Sequence, residues 1–286
     1  MPLAFTQEAQ DNPSLHLPRI LCLHGGGSNA KIFQAQCRKL NAQLKAHFRL
    51  VFADAPYSSQ AGPDVMSVYA DWAPFRRWLR WTLDHPEITA DEAVMDIEDS
   101  LQRAINEDDR KGGTGEWVAL LGFSQGAKMC ASLLFHQQIL ADKLGARLPW
   151  GGYKRKLNFR FAVIMAGRGP LVSMDPELVM TSAFHDAATP SLSSYDAGSL
   201  NRKCFVHYVL RIPTIHVHGK FDPGLKMHQR FMEEFFEKES VRLVSWDGDH
   251  RVPLRSGDVS AVVDQILDLS EQTGVFEDLN AFSWVC

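Results

Sequence analysis

Several kinds of protein are excluded by what this chain does not have. It has no apolar run near the ~20 residues that span a bilayer, so no membrane protein is expected. Residues 1–18 lack the charged and apolar segments of a secretion signal. There is no surplus of positive charge: 30 Lys and Arg face 34 Asp and Glu, for a net −4. That gives no electrostatic case for nucleic acid or an anionic membrane surface. The cysteines Cys22, Cys37, Cys130, Cys204 and Cys286 are odd in number and form no C-x-x-C pair. A disulfide framework or thiolate metal site is therefore not expected, and a reducing compartment is. No Gly-rich phosphate loop of either common pattern occurs. No His or carboxylate cluster has metal-ligand spacing, so neither metal nor cofactor is expected. What remains is a soluble, cytoplasmic globular protein. At 286 residues it is read as one α/β domain over 1–286, with residues 1–17 as a poorly ordered extension.

Apolar runs alternate with helical spacing along the chain. Strands are expected at 20–23, 48–53, 117–121, 159–165, 213–217 and 241–246. Helices are expected near 30–45, 91–106, 125–144, 225–238 and 257–269. This alternation predicts a doubly wound, mostly parallel sheet of about six strands, whose ligand site lies beyond the strands' carboxyl ends. Two stretches interrupt it, 56–90 and 167–212, and both read as lid-like or binding insertions. The first carries Tyr57, Tyr69, Trp72, Phe75, Trp78 and Trp81. Those aromatics either pin a long loop or line an acyl pocket. Tyr57, Trp72 and Phe75, with Phe123, are the candidate substrate-binding residues. Within the insertion, Arg76-Arg77-Trp78-Leu79-Arg80-Trp81 reads as a solvated helix face, with a docking surface for an acidic carrier domain as the alternative.

The chemistry is carried by Gly122-Phe123-Ser124-Gln125-Gly126. It follows the apolar run 117–121 and opens a helix, the context of a nucleophile elbow. A Ser hydroxyl needs a base to remove its proton, and the base needs an orienting carboxylate. Both stand after later strands: Asp222 in His218-Gly219-Lys220-Phe221-Asp222-Pro223, and His250 in Gly248-Asp249-His250-Arg251. Asp247 and Asp249 rival Asp222. His24, His216 and His218 rival His250 but read as loop-ordering or core residues. The oxyanion needs two donors. One is the Gln125 N–H. The other belongs to the turn His24-Gly25-Gly26-Gly27, with Gly26 preferred and Gly27 second.

These segments, with Leu23 to Phe33 and Phe52-Ala53-Asp54-Ala55-Pro56, resemble the FSH-type family of serine hydrolases, of the α/β-hydrolase superfamily. The likeness runs in order over about residues 18–270. It implies an α/β-hydrolase fold and cleavage of esters or thioesters. Ser124, Asp222 and His250 match the family's triad, and Gln125 with Gly26 its oxyanion hole. Fungal members in secondary metabolism include free-standing thioesterases that release a polyketide from the acyl carrier domain of a synthase, as in lovastatin-type biosynthesis. The expected substrate is accordingly a hydrophobic acyl ester or thioester. A carboxylesterase, acyl transfer or carbon–carbon bond formation at the same site, and a non-catalytic docking partner are the alternatives.

Overall fold

The computed structural model describes residues 13–63, 65–144, 157–175, 184–190 and 209–277. Strands buried on both faces have no polar side to offer water, so they gather into a parallel sheet covered by helices. In chain order the elements are β1 (Arg19–Leu23), α1 (Ala30–Gln36), α2 (Arg38–Leu44), β2 (Arg49–Ala53), β3 (Tyr57–Ser59), α3 (Met66–Tyr69), β4 (Phe75–Arg77) and α4 (Ala90–Arg110). They continue with β5 (Trp117–Phe123), α5 (Gln125–Leu144), β6 (Phe161–Met165), β7 (Thr214–Gly219), α6 (Leu225–Phe235), β8 (Val241–Trp246) and α7 (Ser256–Gln272). Six strands form one sheet in the order β2-β1-β5-β6-β7-β8, with every pairing parallel.

Successive strand residues alternate between two cores. Leu21, Leu23 and Leu120 face α4, α5 and α6 through Ile97, Leu101, Met129 and Phe231. Ile20, Cys22 and Val118 face α1, α2 and α7 through Phe33, Leu40, Val259 and Ile266. Helix α4 starts where its sequence dictates. Thr89 and Glu92 form a reciprocal capping box, and Asp91 and Glu92 sit in the positive first turn. Cys22, Cys37 and Cys130 are buried free thiols, while Cys204 and Cys286 lie outside the described residues. No described helix is long and apolar enough to cross a membrane.

The structure departs from the sequence expectation in four places. The helix expected over 30–45 is two helices, broken at Cys37. The first insertion contains a small antiparallel hairpin, β3–β4, with Tyr57 opposite Arg77. The segment from Arg77 to Arg80 is neither a helix face nor a surface. Arg77, Trp78, Leu79 and Arg80 are all buried. They are drawn in because the Gln125 side chain accepts from the Trp78 and Leu79 amides (2.7 and 3.2 Å), and the Trp78 indole donates to the His24 carbonyl (2.9 Å). Ser14 and Leu15, expected within a poorly ordered extension, are held: the Leu15 carbonyl accepts from the Thr114 N–H at 2.7 Å and Arg49 reaches Ser14 at 2.9 Å. Most of the second insertion lies outside the described residues.

The end of the sheet away from the strands' carboxyl ends is held by charge. Arg19 and Arg49, neighbours on β1 and β2, converge on the buried Asp108 of α4 at 3.2 and 2.6 Å. Arg19 also pairs with Asp109 at 2.7 Å, so removing Asp108 leaves Arg49 without its carboxylate and Arg19 with one of two. Asp108→Ala is expected to lower stability by about 3 kcal/mol in urea unfolding. The rate per folded molecule should not change, and a loss below 1 kcal/mol would contradict this role.

Candidate active site

Three loops at the carboxyl ends of β5, β7 and β8 meet above the sheet. Strand β5 runs directly into α5, leaving Ser124 between them with φ at +52°. That left-handed conformation costs a non-glycine residue on the order of 1–2 kcal/mol. It is held by the Ser124 N–H donating to the Met165 carbonyl at 2.8 Å and by the Lys128 N–H returning to the Ser124 carbonyl at 3.2 Å. Both flanking glycines are required by contact. A Cβ on Gly126 would overlap the Leu23 carbonyl at the end of β1, and one on Gly122 would overlap the Gly126 carbonyl.

The loops that carry Asp222 and His250 are bound to each other. The Lys220 and Phe221 amides donate to the Trp246 and Gly248 carbonyls, both at 2.9 Å. Gly219 permits this, since a Cβ there would press on the Gly248 and Asp249 carbonyls. His250 Nε2 then stands 3.1 Å from Ser124 Oγ, and His250 Nδ1 2.6 Å from Asp222 Oδ2. The Phe123 ring packs on His250 at 5.0 Å. Asp222 Oδ1 accepts from the Gly224 N–H at 2.7 Å. Burial alone would push the Asp222 carboxyl up. Hydrogen bonds from His228, His250 and Gly224 outweigh burial and hold it well below the usual carboxylate range. Its rivals are committed elsewhere: Asp247 pairs with Lys220 and Asp249 with Arg251, both exposed.

Gly26 and Gln125 flank Ser124 on the wall of a cavity of about 870 Å³. A Cβ on Gly26 would overlap the Trp81 ring. Gly27, the second choice as donor, is corrected: its N–H already donates to the Arg76 carbonyl at 2.9 Å, in the turn its φ of +71° creates. Trp81, Met227, Phe231 and Phe235 give the cavity an apolar side, and Lys128, Arg168 and Lys226 a cationic one, beside the Arg230–Glu234 pair at 2.7 Å. Lys128 is buried, and burial followed by the nearby Arg168 lowers its pKa to about 8. A second cavity of about 260 Å³ also reaches Ser124 and His250 and is lined by Phe123, Val65 and Leu254.

Three expected substrate-binding residues are not at either cavity. Tyr57 donates to Asp96 at 2.8 Å and lies under the Arg77 guanidinium. Trp72 packs against Tyr69 and Lys31. Phe75 belongs to the hairpin. The aromatics of the insertion mainly pin it down, while Trp81 faces the larger cavity and Tyr69 lines the smaller one. His24 orders the Gly-rich turn as expected, its Nε2 accepting from the Ala55 N–H at 3.0 Å.

One residue escaped the sequence reading. His228 of α6 is fully buried and lies 2.9 Å from Asp222 Oδ2. Its signal was present: His228, Phe231 and Phe235 share the buried face of α6, where a polar ring must find a partner. Asp222, His228 and His250 bring ligand atoms within 4.8 Å of one another, the kind of set that can hold a divalent cation. The 2.6 and 2.9 Å separations are those of direct hydrogen bonds and leave no room for an ion between the groups.

A Ser–His–Asp chain on three parallel-strand loops, beside a Gly-rich turn, narrows the comparison with known proteins. The serine hydrolase (FSH1) family model matches residues 14–262. The chain belongs to that family. Esterase citA of Monascus ruber is 56% identical over 261 residues, covering 91% of this chain and 95% of that protein. Esterase claE of Penicillium crustosum is 52% identical, covering 95% and 99%. TT1662 from Thermus thermophilus, a crystal structure at 15% identity, aligns over 90% of each chain with a TM-score of 0.50, a likeness of fold. The chain has the α/β-hydrolase fold and is a serine hydrolase.

Three histidines make the fold sensitive to acid. Burial lowers His24 and His218 to about 4, with His228 adding to the effect at His218. Burial and then His218 lower His216 further. The unfolded chain takes up these protons near pH 6.5, so stability is fully present above that value and is lost as pH falls toward 4. Denaturant unfolding at pH 7 and pH 5 should show a loss of about 2 kcal/mol for each such histidine. Equal stability at the two pH values would contradict their burial as neutral rings.

Proposed function

We infer that the protein cleaves an acyl thioester or ester through an acyl-enzyme on Ser124, and that its substrate is a polyketide or similar acyl chain carried as a thioester. The observation that carries the first part is the continuous chain from Ser124 Oγ through His250 to Asp222, at 3.1 and 2.6 Å. Asp222 accepts the Nδ1–H of His250, which leaves Nε2 as the basic nitrogen facing the hydroxyl. His250 takes the Ser124 proton as Oγ attacks the carbonyl carbon. The amides of Gln125 and Gly26 receive the developing oxyanion. His250 returns the proton to the leaving thiol or alcohol. Water, deprotonated by His250, then releases the acid and restores Ser124.

The cavities support the second part. The larger, of about 870 Å³, offers an apolar side that suits an acyl chain, and its cations suit a substrate that also brings negative charge. A phosphopantetheine arm from a carrier domain supplies a thioester and a phosphate together. The esterase names of the relatives favour the other reading, a carboxylesterase on simple esters.

The test compares a carrier-bound acyl thioester with the matching simple ethyl ester, on wild type and Ser124→Ala. The expected result is a kcat/KM at least tenfold higher for the carrier thioester, and a loss of ~10³-fold or more in the variant with its fold intact. Preference for the simple ester would remove the carrier reading. Full activity in Ser124→Ala would remove the mechanism.

A further inference from the structure

Asp222 Oδ2 accepts from two imidazoles at once, His250 Nδ1 at 2.6 Å and His228 Nε2 at 2.9 Å. The other nitrogen of His228, Nδ1, lies 2.9 Å from the Gly167 carbonyl. A carbonyl oxygen only accepts, and a carboxylate only accepts. Both ring nitrogens of His228 must therefore donate, which requires a proton on each. A neutral imidazole carries one. The side chains of His228 and Asp222 have no exposed surface, so this extra proton sits in a dry pocket, where a cation persists only against an anion.

We propose that His228 is a positioning residue held as an imidazolium, whose charge offsets that of Asp222 and keeps His250 a neutral base to lower pH than Asp222 alone would allow. The inference rests on the reading of Ser124, His250 and Asp222 as the reacting set. The rings of His228 and His250 are stacked with centroids 5.8 Å apart. At that separation a fixed cation opposes a second proton on His250 even when the surroundings screen it heavily. The carboxylate they share is itself kept ionised by the Gly224 N–H and by both rings.

The other groups around His228 do not supply this effect. From β7, His218 faces it at 5.8 Å and is held neutral by burial. From the loop after β6, Arg168 packs over Gly224, and its charge does not change across the working pH range. From the loop after β8 comes His250 itself. Of these groups and Asp222, Asp222 is the one anion. A purely structural His228 would need no proton on the nitrogen facing Asp222, and that is the difference to measure.

Two readouts decide it. The first is the nitrogen spectrum of the intact protein labelled with ¹⁵N-histidine at pH 8, with His228 identified by its absence in His228→Gln. Two protonated ring nitrogens are expected. A His228 with one bare nitrogen overturns the proposal, whether or not any substrate is turned over. The second is the pH profile of kcat/KM. His228→Gln retains a neutral amide donor and removes the charge. The acid limb should move upward by about one pH unit, with the plateau rate within roughly tenfold of wild type. An unmoved limb, with a lower rate throughout, would mean a structural role and overturn the proposal. Should the variant not fold, His228 is assigned in the wild-type spectrum by through-bond correlation of its ring to its own backbone, and that spectrum decides. Absence of activity in wild type on every ester would instead count against the reacting set.

Discussion

The structure turns on the close approach of α5 to the end of β1. Gly126 lies against the Leu23 carbonyl with no space for a side chain, and Gly122 lies against Gly126 in the same way. The chain can leave β5 and enter α5 there only through a left-handed residue, and that residue is Ser124. Its hydroxyl is thereby lifted beyond the sheet, where the loops after β7 and β8 can reach it. The backbone strain is offset by the Met165 carbonyl on one side and the first turn of α5 on the other. The same turn places Gln125, whose side chain clasps the Trp78 and Leu79 amides and so fixes the first insertion over the cavity. One packing constraint thus sets the position of the hydroxyl, of the Gln125 amide beside it and of the wall that faces them.

The electrostatics follow from burial. Asp222 could not remain ionised in so dry a place without donors, and it has three: the Gly224 amide, His250 and His228. The pairing of the Asp222 and His250 loops through Gly219 keeps His250 in line between Asp222 and Ser124. Lys128 and Arg168 then give the larger cavity its positive side, in a chain whose formal charge is −4.

Much of this was legible in the sequence. The six strands were readable because parallel strands buried on both faces appear as unbroken apolar runs. The elbow was readable because its glycines answer a steric demand. That Asp222 and His250 would come together at Ser124 was readable because each follows a strand. Other features carried no such mark. Strands β3 and β4 are three residues each and mostly polar, so no alternation betrays them. Arg77 and Arg80 look like surface residues, and their burial comes from Gln125 and from the Tyr57 ring, partners distant in sequence. Tyr57, Trp72 and Phe75 shared a segment with the cavity wall, yet sequence proximity does not say which aromatic faces inward. His228 needed tertiary knowledge of which carboxylate lay beneath the buried face of α6.

The most direct test of the central claim, that the fold activates Ser124, is the intact mass of wild type and Ser124→Ala after exposure to a fluorophosphonate probe. One adduct on wild type and none on the variant is the predicted result. An unmodified wild type that is folded, or a variant modified equally well, would contradict it.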